Sequence, residues 1–380
     1  MNMTDAPKIY FTSKVFTVEK IGSNEKISKN IRDVIKNLWQ KLNEVAEFKI
    51  FNGRNPTKDQ LQNEISNFTP HIIGCHLAHP ITAEMLENSP VFAIATSTAG
   101  YNHIERTEKD DIIITHTPGV LYDTVADYTI ALIMANLRNL IDLHISVWNG
   151  EWTAKSKWDL DQTLSSVVTN KILGIVGLGE IGKEVVKKLY PWGVKIMYYD
   201  IKRMKDFEKE FPLLEFKENL EDIFQEADIV SLHIPLNKYT ENVIDRNLLK
   251  LMKKNALLVN TARGTIIDFD ALLDLLERKE IQINLAFDVF PIEPLDAKTL
   301  KRLKAIKKNQ PEIRMILISH NASADANTRA KMVILFLEDI IKLLESNSIE
   351  DLKNIHIIPE HRNQLVEREW RILNYWKNKK

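Results

Sequence analysis

Four of the chain's twelve glycines, Gly174, Gly177, Gly179 and Gly182, fall within nine residues. Twelve glycines in 380 residues is about half the usual share of roughly 7%, so their clustering has a steric cause. The last three form GLGEIG (177–182), a G-x-G-x-x-G pattern that by itself also occurs in unrelated glycine loops. Its surroundings are more specific. It follows the apolar run KILGIV (171–176) and opens EIGKEVVKKLY (180–190), where Ile181, Val185, Val186 and Leu189 share one helical face. A second run, VKIMYYD (194–200), then ends in Asp200, 23 residues after Gly177. Strand, glycine turn, helix and strand closed by a carboxylate make up the dinucleotide-binding unit. Gly177 would permit the tight turn, Gly179 the approach of backbone to a pyrophosphate, and Gly182 close helix–strand packing. The pyrophosphate would lie on free N–H groups at the helix start. Asp200 would accept hydrogen bonds from the adenosine ribose and repel a 2′-phosphate, which favours NAD(H) over NADP(H). Lys202 and Arg203 follow directly and argue the other way.

Further β-rich runs lie at 228–234, 255–260, 283–290 and 314–319, with helical stretches such as 218–227 and 269–279 between them. Nearly continuous apolar strands alternating with helices predict a parallel sheet covered on both faces, a doubly wound Rossmann-type layer. The first 120 residues repeat the pattern with runs at 8–12, 48–52, 71–75, 91–97 and 111–117 and a helix over 31–45. They predict a smaller flavodoxin-like α/β layer. The expected division is a substrate domain of residues 1–122 and 325–380 and a cofactor domain of residues 123–324, with a cleft between them. Thr124–Leu140 reads as one long helix, apolar almost all round and therefore buried between domains or subunits. Residues 359–380 read as an amphipathic helix packed on its own protein through Leu365, Val366, Trp370, Leu373 and Trp376.

Fifty-one basic against 52 acidic residues leave no basic field for nucleic acid. The stretch around Tyr128–Ala135 is far too short for a membrane span, and the N-terminus lacks the pattern of a secretory signal. Cys75 is the single cysteine, so an internal disulfide or multi-cysteine zinc site is excluded. His79, His103 and His233 do not have metal-ligand spacing, and no metal is expected. A cytoplasmic location follows as the expectation.

In this order of segments the sequence resembles the D-isomer-specific 2-hydroxyacid dehydrogenases, from about Pro70 to Met332. The resemblance is carried by residues 81–105, TVADYTIALIMANLR (124–138), ILGIVGLGEIG (172–182), LHIPLNKYTENVI (232–244), VNTARGTIID (259–268), FDVFPIEP (287–294) and SHNASADANTRA (319–330). It implies catalytic roles for Arg263, Glu293 and His320. It implies cofactor contacts from Glu180, Ile181, Ile234, Pro235, Thr261, Ala262 and Ala322 beside the glycines, with Asp288 accepting from the nicotinamide carboxamide. Ser97, Thr98, Ala99 and Gly100 would hold the substrate carboxylate through backbone N–H groups, with His76 and Leu77 in another pocket loop. The resemblance also implies a homodimer.

The three catalytic candidates make chemical sense on their own terms. Imidazole titrates near neutral pH, so His320 suits proton transfer to or from a hydroxyl. A carboxylate such as Glu293 orients the ring and favours its charged form. The planar fork of Arg263 matches a carboxylate and can polarise a keto oxygen. Taken singly, each is as well explained as a surface ion pair, a loop carboxylate or a structural histidine; their family order after a dinucleotide motif is what raises them. Phosphoglycerate dehydrogenases tend to carry arginine and serine where His76 and Leu77 stand, and formate dehydrogenases carry glutamine at the place of Glu293. The expected activity is therefore NAD(H)-dependent interconversion of a short D-2-hydroxy acid and its 2-keto acid, of the glyoxylate or hydroxypyruvate kind. Phosphoglycerate dehydrogenase and an NAD(H)-sensing, corepressor-like interaction protein are the alternatives.

Overall fold

The computed structural model describes residues 6–153 and 159–378. They form two compact units, residues 6–121 with 324–378, and residues 122–153 with 159–323.

In the first unit five parallel strands, β1 (Lys8–Phe11), β2 (Glu47–Ile50), β3 (Ile72–Cys75), β4 (Ala93–Thr96) and β5 (Ile113–Thr115), stand in the order β2-β1-β3-β4-β5. This is the flavodoxin-type order. β3 and β4 are buried at every position, which explains why they read as apolar runs rather than alternating ones. On one face Phe11, Ile72 and Ala95 pack with Trp39 and Leu42 from helix Lys29–Val45 and with Phe336, Leu337 and Ile340 from helix Ala326–Glu345. On the other, Tyr10, Ile73 and Ile94 pack with Leu61, Ile65 and Met85.

The tail departs from the sequence reading. Two short helices, Pro359–Asn363 and Arg371–Lys377, replace the single amphipathic helix. Trp370 is buried and its indole N–H donates to the Leu365 carbonyl, folding the intervening chain back on itself. Arg368 and Arg371 pair with Asp110 and Asp111, and the buried His361 bridges the Ile114 amide and Asp110. Those bonds fix residue directions that helical spacing does not supply, and Val366 is left exposed. The tail does pack on its own unit, as the apolar residues required.

In the second unit seven parallel strands, β6 (Ile172–Val176), β7 (Lys195–Tyr199), β8 (Leu214–Phe216), β9 (Ile229–Leu232), β10 (Leu257–Asn260), β11 (Asn284–Phe287) and β12 (Met315–Leu317), run in the order β8-β7-β6-β9-β10-β11-β12. The order reverses between β6 and β9, and ligands of such sheets bind at the carboxyl ends beside that reversal. β8 carries no apolar run because it is an edge strand with one buried residue of three, so the sequence did not reveal it.

The predicted helix 124–140 is in fact two. Tyr122–Leu137 lies on the sheet through Ala126, Leu132, Ile133 and Leu137. Arg314 then takes the carbonyls of Asn136 and Leu137, Asn139 turns left-handed at φ 51°, and Leu140–Trp148 leaves at 64° to the first helix. The first piece is buried against its own sheet; the second buries none of its residues.

Candidate active site

The glycine loop joins β6 to helix Glu180–Leu189, with Gly179 as the residue before its first turn. Gly177 has φ 95°, and a Cβ there would stand 2.7 Å from Ile234 Cγ2 and 2.9 Å from the His233 carbonyl. The loop thus rests directly on the chain leaving β9. A Cβ on Gly182 would come within 2.3 Å of the Gly177 carbonyl oxygen, so only glycine lets the helix sit this close. Gly179 differs from both: a Cβ there would meet nothing within 4 Å. Neither its ordinary φ of −74° nor protein packing demands glycine at that position. The open space above it is the cradle a pyrophosphate would fill.

Asp200 closes β7 and accepts from the Leu178 amide at 2.7 Å, which fixes its carboxylate against the glycine loop. Its other oxygen takes the Lys202 amide at 3.3 Å. Arg203 does not compete for this place. Its guanidinium forms a two-pronged pair with Glu208 at 2.9–3.1 Å and lies over the Phe216 ring. Asp200 is thus fixed at the end of β7 against the glycine loop, while Arg203 is held away from it. The site fits an adenosine ribose with free hydroxyls.

Ile234 and Pro235 follow β9, Thr261 and Ala262 follow β10, and Ala322 follows β12, so these predicted cofactor residues stand at the carboxyl ends of their strands. The Thr261 hydroxyl is buried and bonded to that of Thr129 at 2.9 Å, and Glu180 pairs with Lys183.

The three catalytic candidates are brought together. Glu293 Oε2 meets His320 Nδ1 at 2.6 Å, while Oε1 accepts from the Phe290 amide at 2.9 Å. Arg263 begins a tight turn whose next residue, Gly264, lies so close to Phe290 that a Cβ would reach its carbonyl carbon at 1.9 Å. This contact presses the Arg263 turn onto the loop bearing Glu293. Burial raises the Glu293 carboxyl, but the His320 hydrogen bond, the Phe290 amide and the charges of His320 and Arg263 outweigh it and hold the group below its ordinary range. Burial lowers Arg263 while Glu293 raises it, with the former prevailing.

Asp288 has a structural role that the sequence reading did not include. Its side chain is fully buried, and its two oxygens accept from the Asn321 and Ala322 amides at 2.7 and 2.8 Å. Its carbonyl takes the His320 amide at 2.8 Å. It clamps the loop after β12, and the lone pairs its two oxygens keep leave it able to accept a further N–H as well. His320 sits within that clamp at φ 53°, a backbone region uncommon for a residue with a side chain. Nothing in the sequence distinguished this role, because an aspartate after a strand serves equally as a ligand or as an anchor.

In the first unit Ser97, Thr98, Ala99 and Gly100 follow β4, and His76 and Leu77 follow β3, again at carboxyl ends. Among the described residues the N–H groups of Ala99, Gly100 and Tyr101 have no acceptor in the protein.

Residues 130–315 match the family model for the NAD binding domain of D-isomer specific 2-hydroxyacid dehydrogenases. A glyoxylate reductase of Thermofilum pendens is 34% identical over 309 residues, covering 80% of this chain and 86% of that protein. The chain belongs to the D-isomer specific 2-hydroxyacid dehydrogenase family. A second relative, the glyoxylate reductase of Korarchaeum cryptofilum, is 36% identical over 288 residues, 74% of this chain and 82% of that protein. The crystal structure of a glyoxylate reductase from Paecilomyes thermophila shares the fold, with a TM-score of 0.73 at 22% identity over 94% of this chain and 99% of that one. This dehydrogenase is accordingly an NAD-dependent oxidoreductase interconverting 2-hydroxy and 2-keto acids.

The contrast between two glycines yields a test. Gly179→Ala should melt within about 2 °C of the parent, since small changes without strain cost little, yet bind NADH at least about tenfold more weakly because the methyl takes the pyrophosphate's place. Gly177→Ala should lose stability as well, from its φ and its clash with His233. Fluorescence titration with NADH and thermal melting measure both; undiminished NADH affinity in Gly179→Ala would put the cofactor elsewhere.

Proposed function

We propose that this dehydrogenase reduces a short 2-keto acid, with glyoxylate as the first candidate, through His320, Glu293 and Arg263. The observation that carries the reading is the 2.6 Å bond between Glu293 and His320 in a loop clamped by Asp288, beside Arg263. Bound NADH supplies the hydride. With Nδ1 committed to Glu293, His320 Nε2 is the atom that gives its proton to the keto oxygen as that oxygen becomes a hydroxyl; in the reverse direction it takes the proton back. Glu293, held ionised, balances the ring's positive charge and keeps Nε2 directed outward. Arg263 draws electron density toward the keto oxygen and holds the carboxylate in a planar fork. Ser97 to Gly100, with His76 and Leu77, are assigned to substrate binding in this proposal. Glyoxylate is favoured because the relatives above are named glyoxylate reductases. A phosphorylated substrate would want a stronger cation than His76 and Leu77 offer. The location is proposed to be cytoplasmic.

Helix Leu140–Trp148 exposes Leu140, Ile141, Ile145, Val147 and Trp148, and Trp152, Leu160 and Leu164 are exposed as well. Exposed apolar side chains in this number belong to an interface, and the proposed occupant is a second copy of the chain. Sedimentation should show a dimer that Trp148→Glu weakens; a monomeric parent protein at micromolar concentration would remove the homodimer.

A panel of 2-keto acids with NADH tests the activity itself and separates it from a purely NADH-sensing protein. His320→Gln should lose about 10²–10⁴-fold in turnover with NADH affinity within a few-fold. Glu293→Gln should move the His320-dependent limb of the pH profile to lower pH, because the charge that favours the protonated ring is gone. Near-normal turnover in His320→Gln, or an unmoved profile in Glu293→Gln, would contradict the assignment.

The end of β7 predicts cofactor choice. The parent should show higher kcat/KM with NADH than with NADPH, and Asp200→Ala should narrow or reverse the ratio. Because Arg203 is held by Glu208, Arg203→Ala should leave the ratio nearly unchanged; a parent preference for NADPH would mean that the cations prevail over Asp200.

A further inference from the structure

The loop after β4 carries three adjacent backbone N–H groups, those of Ala99, Gly100 and Tyr101, with no acceptor among the described residues. The carbonyls of the same peptide groups are all taken. The Thr98 carbonyl accepts from the Thr117 amide at 3.0 Å, the Ala99 carbonyl from His116 Nδ1 at 2.8 Å, and the Gly100 carbonyl from the Thr98 hydroxyl at 2.7 Å. In a trans peptide the C=O and the following N–H point in opposite directions. Tying each carbonyl back into the protein therefore turns each N–H outward, and successive outward N–H groups form an anion-binding concavity.

The middle peptide group has an unusual anchor. The first is held by the Thr117 backbone amide and the third by a threonine hydroxyl two residues away. The second is held by a side chain from the same segment after β5, the His116 imidazole, whose own backbone is bound in turn: the His116 amide donates to the His356 carbonyl at 2.9 Å. The Tyr101 ring stands edge-on to His116 at 5.4 Å, and the Tyr101 hydroxyl donates to Glu360 Oε2 at 2.8 Å. The imidazole is thus fixed from both sides, and its Nδ1–H is the donor that takes the carbonyl of the Ala99–Gly100 peptide.

We infer that His116 is the positioning residue for substrate: by holding the Ala99 carbonyl it aims the Gly100 N–H at the substrate carboxylate. The inference rests on the proposed reading of this loop as the carboxylate-binding segment and deepens it by naming what sets its geometry. His116 is not a catalytic residue in this role, since it acts through the peptide. Its loss should therefore weaken carboxylate binding and leave the chemical step and the cofactor largely alone.

Three variants separate this from a simple packing role. His116→Leu fills the space without a donor, His116→Ala removes both, and His116→Asn keeps a side-chain N–H at nearly the same reach. In NADH oxidation with glyoxylate, His116→Leu and His116→Ala should raise KM about tenfold, the size of one lost hydrogen bond of about 1.4 kcal/mol, with kcat within about threefold. His116→Asn should restore KM to within about threefold of the parent, on the same donor argument. NADH affinity by fluorescence titration should be unchanged in all three. The parallel measurement is calorimetric binding of oxamate, a non-reacting 2-keto-acid mimic, to the NADH complex; its affinity should fall and recover with the same variants. If the parent turns over no keto acid, the proposed activity fails while oxamate binding still decides the role of His116. An unchanged KM and oxamate affinity in His116→Leu, or the absence of rescue by a folded His116→Asn, overturns the inference. So does a loss spread equally over kcat, NADH affinity and melting temperature.

Discussion

The active loop depends on one buried carboxylate. Asp288 collects the amides of Asn321 and Ala322 on its side chain and the amide of His320 on its carbonyl. Hydrogen bonds to a charged group contribute about 1.5–3 kcal/mol each, enough to offset the roughly 1–3 kcal/mol cost of holding His320 in an unusual backbone region. The strained backbone is therefore a consequence of the clamp. It points the imidazole at Glu293, and without it the 2.6 Å bond would be one of many available contacts for a half-exposed side chain.

Close backbone approach does similar work elsewhere in the second unit. Gly177 rests on the chain leaving β9, Gly182 on the carbonyl of Gly177, and Gly264 on Phe290. The first and last draw together loops from different strands at the carboxyl edge of one sheet, and the second seats the helix on its own glycine loop. Glycine is scarce in this chain, and these positions show where it is spent on packing. Gly179 is the exception, kept free for something outside the protein.

In the first unit, polar side chains rather than glycines arrange the edge. The Cys75 thiol and the Thr96 hydroxyl meet His103, Thr96 also meets Thr98, and Thr98 and His116 hold successive carbonyls. Burial pushes the Cys75 thiol up to about 12, so it packs as a neutral group. The C-terminal tail reaches the same region through Glu360 and through His361, whose neutral ring joins the Ile114 amide to Asp110.

Strand runs and the glycine signature were legible from residues alone, because each depends on local chain chemistry or on fixed spacing; Arg263, Glu293 and His320 were singled out by the order of family-like segments. The parallel layers followed, since strands buried on both faces must be apolar throughout. Only the tertiary structure decided the rest. β8 is a barely buried edge strand that leaves no apolar signature. The helix at 124–140 breaks because Arg314, remote in sequence, takes its last carbonyls. The tail folds as two helices because Trp370 is buried where it bonds Leu365. Arg203 is withdrawn by Glu208, and Asp288 anchors the loop after β12 through two amides. In each case the outcome belongs to a hydrogen bond between groups whose meeting no local pattern records.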